Sequence, residues 1–565
     1  MCYYIITSNK LGLIMRNALL DFTSKDNILP EGTIPKRTDG IVIESGLEKY
    51  TGNWNRKTAS HLLRRTTFGP RMKDIAEFTE LTLDEAIDKI LDFDEPLELP
   101  LNYNDNDDPY ANIGESWVGL PSGPNTFNKR IGSFTARWFG NVLNSGNNVG
   151  EKMTLFWHNH FVTQMLTIRE ENYTFDYYRM LRENALGNFK TLTEKITTSP
   201  AMLRYLNGNE NVVGRPNENY ARELMELFTI GKGPQIGPGN YTNYTEDDVL
   251  AAAKVLTGWR ALRDSTNSRY YKQLHDKSSK QFSSAFGNRI ISNMEEEEYK
   301  ELISMILEQE ETAKFICRKL YRWFVYYEID EQTENNMIKP MADILRNNNY
   351  EVKPVLKALF SSSHFYDNWN VGCVIKSPLD YVTTIYRNLE MKFPEEYKAQ
   401  YSAWTALGFQ YVAIQEMILG EPPSVSGWPA MYQAPGYHRF WVTSVSAPYR
   451  AVLADYVAGV PVIEGRGFSI SFNAFDLAKQ TSNPQDAPTL IRELTEFLLP
   501  IDLTKNQMEY LRSNLIPEGY EDYHWAAVWT AYELDPDNEE NTNIVNTLLR
   551  TFIRACLNIA EYHLA

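Results

Sequence analysis

The 565-residue chain carries 73 Asp and Glu against 56 Lys and Arg, a formal net charge of −17 at pH 7. That balance argues against non-specific nucleic-acid binding and against docking to an anionic membrane, both of which need a basic surface. With 43% hydrophobic and 23% charged residues the composition is that of a soluble globular protein, and no apolar run reaches the roughly 18 residues of a membrane-spanning helix.

The N-terminus does not read as a signal peptide: it lacks a basic start, and Ser8, Asn9 and Lys10 break its apolar stretches. Residues 1–50 are expected to form an irregular arm and 51–565 one helical domain, with 264–294 the place where it would subdivide. "TASHLLRRTTFGP" starts a short helix that stops near Gly69-Pro70. Thr82 and Glu85 form a capping box, as do Thr245 and Asp248 with a weaker acidic partner. Phe127, Ile131, Phe134, Trp138 and Val142 keep a helical stripe. "AKFICRKLYRWFVYY" and "NIVNTLLRTFIRACLNI" are amphipathic helices, while "RIISN" and "GFSISF" are the best short strands. Residues 264–294 read as a long polar connection, a length that is often functional. Cys2, Cys317, Cys373 and Cys556 show no paired spacing, so neither a disulfide framework nor a cysteine zinc site is expected. The fold class is mostly α: a multi-helix globular fold with long polar loops and few short strands.

Three segments carry the chemistry. In "FWHNHF" (156–161), a helix over 151–165 sends His158 and His160 to different sides, because each residue advances about 100°. One of them is expected to reach a polar site, and the other to be a buried, hydrogen-bonded core residue. In "NENYARELMELFTIG" (217–231), Glu218, Arg222 and Glu226 make an i, i+4 ladder. Glu223 and Glu226, three apart, could share one ion or one proton, or simply form a solvated face. In "YYKQLHDKSSKQF", His275-Asp276 with Lys280 is an acid–base pair, a ligand pair or a loop cap. His158, His160, Glu223, Glu226, His275 and Asp276 are therefore the candidate catalytic set. A divalent metal is the cofactor such a set would admit, its identity open.

These stretches, together with "HLLRRTTFGP", "YTEDDVLAAAKVLTGWR", "FICRKLYRWFV", "IKSPLDYV" and "PPSVSGWP", follow one another from about residue 55 onward. In that order they resemble the bacterial family catalogued as domain of unknown function 1800. The resemblance implies no established activity. It implies frequent export and, as a partner, a sulfatase-like protein of unknown-function family 1501. Some members carry a histidine where this chain has Phe228; a metal ligand there would be missing. The compartment stays open, since the sequence shows no leader.

Arg64, Arg65, Arg222, Arg260, Arg318 and Arg322 are conspicuous in so acidic a chain. Guanidinium forks suit carboxylate, sulfate or phosphate; the plain alternative is pairing with the chain's own acids. Trp428, held between Gly427 and Pro429, would line a pocket or stack on a sugar, or serve as a hydrophobic latch. Arg64, Arg65, Arg222, Arg260, Lys280 and Trp428 form the candidate binding set. Asn104, Asn106, Asp108 and Glu115 echo a calcium loop, but Pro109 stands where glycine is needed. No GxSxG, Walker, GxGxxG or HExxH motif is present. Two readings remain: hydrolytic or metal-assisted chemistry on an anionic or glycan-like substrate, and a non-catalytic envelope or surface scaffold binding a glycan or partner protein.

Overall fold

The computed structural model describes residues 45–238, 240–262, 266–460, 462–465 and 467–565. Residues 1–44 of the expected arm lie outside them. Helices take in 57% of the chain, and strands occur as short two-stranded antiparallel hairpins, which is the mostly α class read from the sequence.

Local capping chemistry starts many of the helices. In α1 (Arg56–Thr66) the Asn55 side chain accepts from the backbone of Lys57 and Thr58, and Thr58 reciprocates. Both capping boxes read from the sequence are formed: Thr82–Glu85 opens α2 (Leu83–Ile90). The apolar stripe from Phe127 to Val142 lies in α3 (Thr126–Asn144). The FWHNHF segment closes α4 (Gly150–His160). This helix is shorter than expected. Past Phe161 the backbone leaves it, and the Met165 N–H and Gln164 side chain bond to Gly420 O and Pro422 O instead. A loop distant in sequence thus ends the helix.

The glutamate segment forms α5 (Asn219–Glu223) and runs on as a π-turn, Leu224–Thr229. Thr245–Asp248 opens α6 (Glu246–Val255), and the Asp248 carboxylate also accepts from the Ser283 N–H and hydroxyl, each at 2.7 Å. That anchor explains a correction. The 264–294 connection is not a plain polar loop: Ser268–Tyr270 pairs back on Trp259–Ala261, and Lys280–Gln281 pairs with Ile290–Ile291. Phe282 and Ile291 are buried and give the second hairpin an inward face.

The remaining helices that frame the site are α7 (Glu310–Phe324), α8 (Pro378–Asn388), α9 (Ser446–Gly459), α10 (Ala487–Leu498) and α11 (Glu539–Asn558). "GFSISF" pairs as Phe468–Ser471 against Val462–Gly465. One contiguous apolar cluster takes in residues from Ala59 to Leu564.

Several helix C-termini are closed by a buried basic side chain from elsewhere. Arg387 is the clearest case. It donates to Gly69 O at 2.6 Å and, at the end of α3, to Leu143 O at 3.1 Å and Ser145 O at 2.6 Å. Burial lowers its pKa to about 10, so it is cationic at pH 7 and complements the negative end of the helix dipole. Arg387→Met, of similar volume, is expected to cost about 3 kcal/mol, since hydrogen bonds from a charged donor are worth roughly 1.5–3 kcal/mol each. Urea denaturation followed by circular dichroism measures it; an unchanged midpoint would refute the capping role.

Candidate functional site

His158 and His160 point into different surroundings. The His158 ring sits edge-on to Trp138, 5.2 Å between centroids, and 6.4 Å from Trp428. Its buried Nδ1 has no partner among the described residues, and burial lowers its pKa to about 3. His160 is bonded on both sides. Its Nε2–H donates to Phe228 O at 2.9 Å, and its Nδ1 accepts from Lys319 Nζ at 3.0 Å. Lys319 also donates to Leu227 O at 2.9 Å. His160 therefore does reach the glutamate segment, but it meets the backbone there and not a carboxylate. The histidine with its hydrogen bonds filled and the histidine that reaches this segment are the same residue.

The π-turn reorganises the expected ladder. Arg222 holds Glu246 with both Nη atoms, at 2.8 and 2.7 Å, and Glu218 at 3.0 Å. Glu226 is swung away to Lys232, 2.5 Å, and accepts from the Tyr244 hydroxyl at 3.3 Å. Glu223 gains neither partner. Burial and the Glu226 charge raise its pKa from 4.5 to about 7.

His275 and Lys280 meet on a residue the sequence reading did not name. Glu298 accepts from His275 Nε2 at 2.9 Å and Lys280 Nζ at 2.6 Å, all three side chains fully buried. His275 Nδ1 faces Thr257 O at 2.9 Å, and Asp276 caps Ser278. Both ring nitrogens are occupied, and no hydrogen bond among the described residues joins this cluster to His160 or Glu226. Asp108 of the calcium-like loop is held by Arg130 at 2.8 Å. Among the described residues no three His, Cys, Asp or Glu side chains are placed to hold one metal ion.

The arginines divide. Among the described residues Arg260 donates to Trp259 O, at 3.4 Å. Arg318 pairs with Glu311 and Glu334. Arg64 is buried and caps α10, its Nη atoms donating to Phe497 O, Leu498 O and Leu499 O. Arg65 caps α7, with Nε on Phe324 O at 2.9 Å and Nη2 on Trp323 O at 3.2 Å. Arg65 also borders a cavity of about 40 Å³ lined by Lys152, Arg322, Lys376, Asp380, Trp428, His438 and Trp441, among others. Lys152 donates to Asp380 at 2.7 Å and to Thr67 O at 2.8 Å. Lys376 donates to Tyr562 O at 2.6 Å. Among the described residues Arg322 donates through Nε, to Tyr327 O at 3.1 Å. Ser377 caps α8, whose N-terminus thus faces the cavity. His438 Nδ1 accepts the Ile375 N–H at 3.1 Å, so the proton sits on Nε2; burial and the Arg439 and Arg65 charges lower its pKa to about 3.

A family model described as protein of unknown function (DUF1800) matches residues 61–549. The chain belongs to the DUF1800 family. No curated protein and no solved structure matches it. Within this DUF1800 chain the structure brings Arg65 and Trp428 of the expected binding set to one cavity and puts Arg64 on an adjoining one. The sequence reading missed Lys152, Lys376, Asp380, His438 and Trp441. "IKSPLD" held a signal: a cap serine, Pro378 in the first turn and Asp380 at the third helical position mark a helix start immediately after a lysine.

Glu223 yields a pH prediction. It stays protonated in the fold where an exposed glutamate has already ionised. The stability it carries is complete below pH 4.5 and is lost as pH rises toward 7. Glu223→Gln should therefore melt above the wild type at pH 8 and together with it at pH 4.5. Calorimetry at the two pH values checks this; equal melting temperatures at pH 8 would count against it.

Proposed function

We propose that the protein recognises an anionic group in the basic cavity beside Arg65. One observation carries the reading: every unpartnered buried side-chain nitrogen or oxygen among the described residues lining it is a donor. These are the indole N–H groups of Trp323, Trp428 and Trp441 and the Nε2–H of His438. A buried donor without an acceptor costs about 1–3 kcal/mol, and four such donors belong to residues that line this one cavity. The basic lining supplies the opposite charge, and the start of α8 adds its dipole.

Binding fits this site better than hydrolysis. Ser377, the hydroxyl in the cavity wall, donates to Asp380 Oδ2 at 2.8 Å and accepts from Asp380 N at 3.1 Å. It is engaged as a helix cap, and the carboxylate it meets is already paired with Lys152 at 2.7 Å. Of the expected anionic or glycan-like substrate, the anionic part is what the cavity chemistry supports, and the aromatic wall of Trp428 and Trp441, with centroids 6.5 Å apart, suits a ring beside the charge.

Trp441→Phe removes one orphan donor and keeps an aromatic wall. In the presence of a millimolar oxyanion the wild-type melting temperature should rise and saturate with concentration. Trp441→Phe should need several-fold more anion for the same rise. Identical titrations for both proteins would refute the donor role.

A further inference from the structure

Resting on that anion reading, we infer that the group bound in the cavity is a tetrahedral dianion, inorganic sulfate or phosphate or the phosphate end of a monoester, and not a carboxylate. Charge is the first argument. Arg65, Lys152, Arg322 and Lys376 face one acidic side chain, Asp380. The lining side chains are thus in cationic excess. A dianion offsets more of that excess than a monoanion does. In a water-poor site the difference is amplified, because Coulomb energies grow as the effective dielectric falls.

Donor supply is the second argument. Arg322 leaves both Nη atoms unused by the described residues, Arg65 leaves Nη1, and Lys376 has donated only once. Trp323, Trp428, Trp441 and His438, each with an unpartnered buried N–H, line the same cavity. The donors enter from six separate segments: α1, α4, α7, the strand-like stretch at Lys376, the Trp428 loop and the turn Tyr437–Trp441. A planar carboxylate offers two oxygens in one plane. A tetrahedral oxyanion offers up to four in diverging directions, which is what donors converging from several elements can engage. Size is the third argument. A cavity of about 40 Å³ holds roughly three water molecules at about 10–15 Å³ each, a space that one compact oxyanion would fill.

Burial disfavours the protonated forms of Lys152 and Lys376. A dianion beside them would favour the protonated forms again.

The test titrates the full-length protein with sulfate, phosphate, phenyl phosphate, formate, acetate and chloride at constant ionic strength. Melting temperature and tryptophan fluorescence are the readouts, since Trp428 and Trp441 line the cavity. Sulfate and phosphate should give saturable shifts at concentrations about tenfold or more below those for formate and acetate. Phenyl phosphate binding as well as phosphate would assign the site to the end of a monoester; phosphate without phenyl phosphate would assign it to the free anion. Arg322→Met should abolish the preference for dianions. If that variant does not fold, Trp428→Phe should weaken phosphate more than acetate. Formate or acetate binding as tightly as sulfate and phosphate would overturn the inference and leave the anion reading standing. No saturable response to any anion would overturn both.

Discussion

The architecture depends on buried cations that close the carbonyl ends of helices. Arg64 closes α10, Arg65 closes α7, Arg387 closes α3, and Arg550 closes α9 through Ala458 O and Val460 O at 3.0 and 2.9 Å. Lys319 and His160 do the same for the π-turn at Leu227 and Phe228. A helix end buried without such partners leaves carbonyls unsatisfied. A guanidinium with several donors in a rigid fork can serve two or three of them at once and match the dipole. This lets helices stop inside the molecule, where α3, α7 and α10 meet other elements and not water.

The same device creates the cavity. A cation brought inside to cap a helix seldom has all its hydrogens matched. Arg65, Arg322 and Lys376 line one cavity with donors to spare, and the carboxylate of Asp380 beside them is already held by Lys152 and Ser377. At Glu298 the opposite balance holds: one buried carboxylate receives His275 and Lys280 and closes the site. Removing one partner from such a buried set costs about 3–5 kcal/mol, which marks that cluster as a clamp on the 264–294 hairpins. The two clusters differ in balance, closed at Glu298 and open at the cavity, and that contrast directs attention to the second.

What could be read from the sequence was local. Thr82–Glu85 and Thr245–Asp248 are three residues apart and need nothing distant to form. The opposed directions of His158 and His160 follow from helical geometry alone. The end of α4 was not legible, because Gly420 and Pro422 determine it. The Glu218–Arg222 rung of the expected ladder formed, and the Arg222–Glu226 rung did not, for a similar reason: the turn widens within the segment, and Arg222 takes Glu246 from the next helix. Arg64 and Arg65 stood out as arginines in an acidic chain. Their partners, however, are carbonyls more than 250 positions away, and carbonyls carry no sequence signature. The cavity was illegible as a whole, since residues 65, 152, 322, 376 and 438 share no period.

The charge of the whole chain and that of the cavity have opposite signs, and the two act at different distances. With a net charge of −17 and basic groups drawn inward as caps, the surface repels anions. That repulsion is screened beyond about 8 Å at physiological salt. For the anion proposed above, screening inside the cavity would be weak, and the attraction of Arg65, Arg322 and Lys376 would be felt only once it had shed water and entered. Long-range repulsion with short-range attraction slows encounter without weakening the bound state. A site of the proposed kind would discriminate by what fits the donors and not by what drifts toward the protein, so the surface charge and the buried arginines would serve one selectivity from two sides.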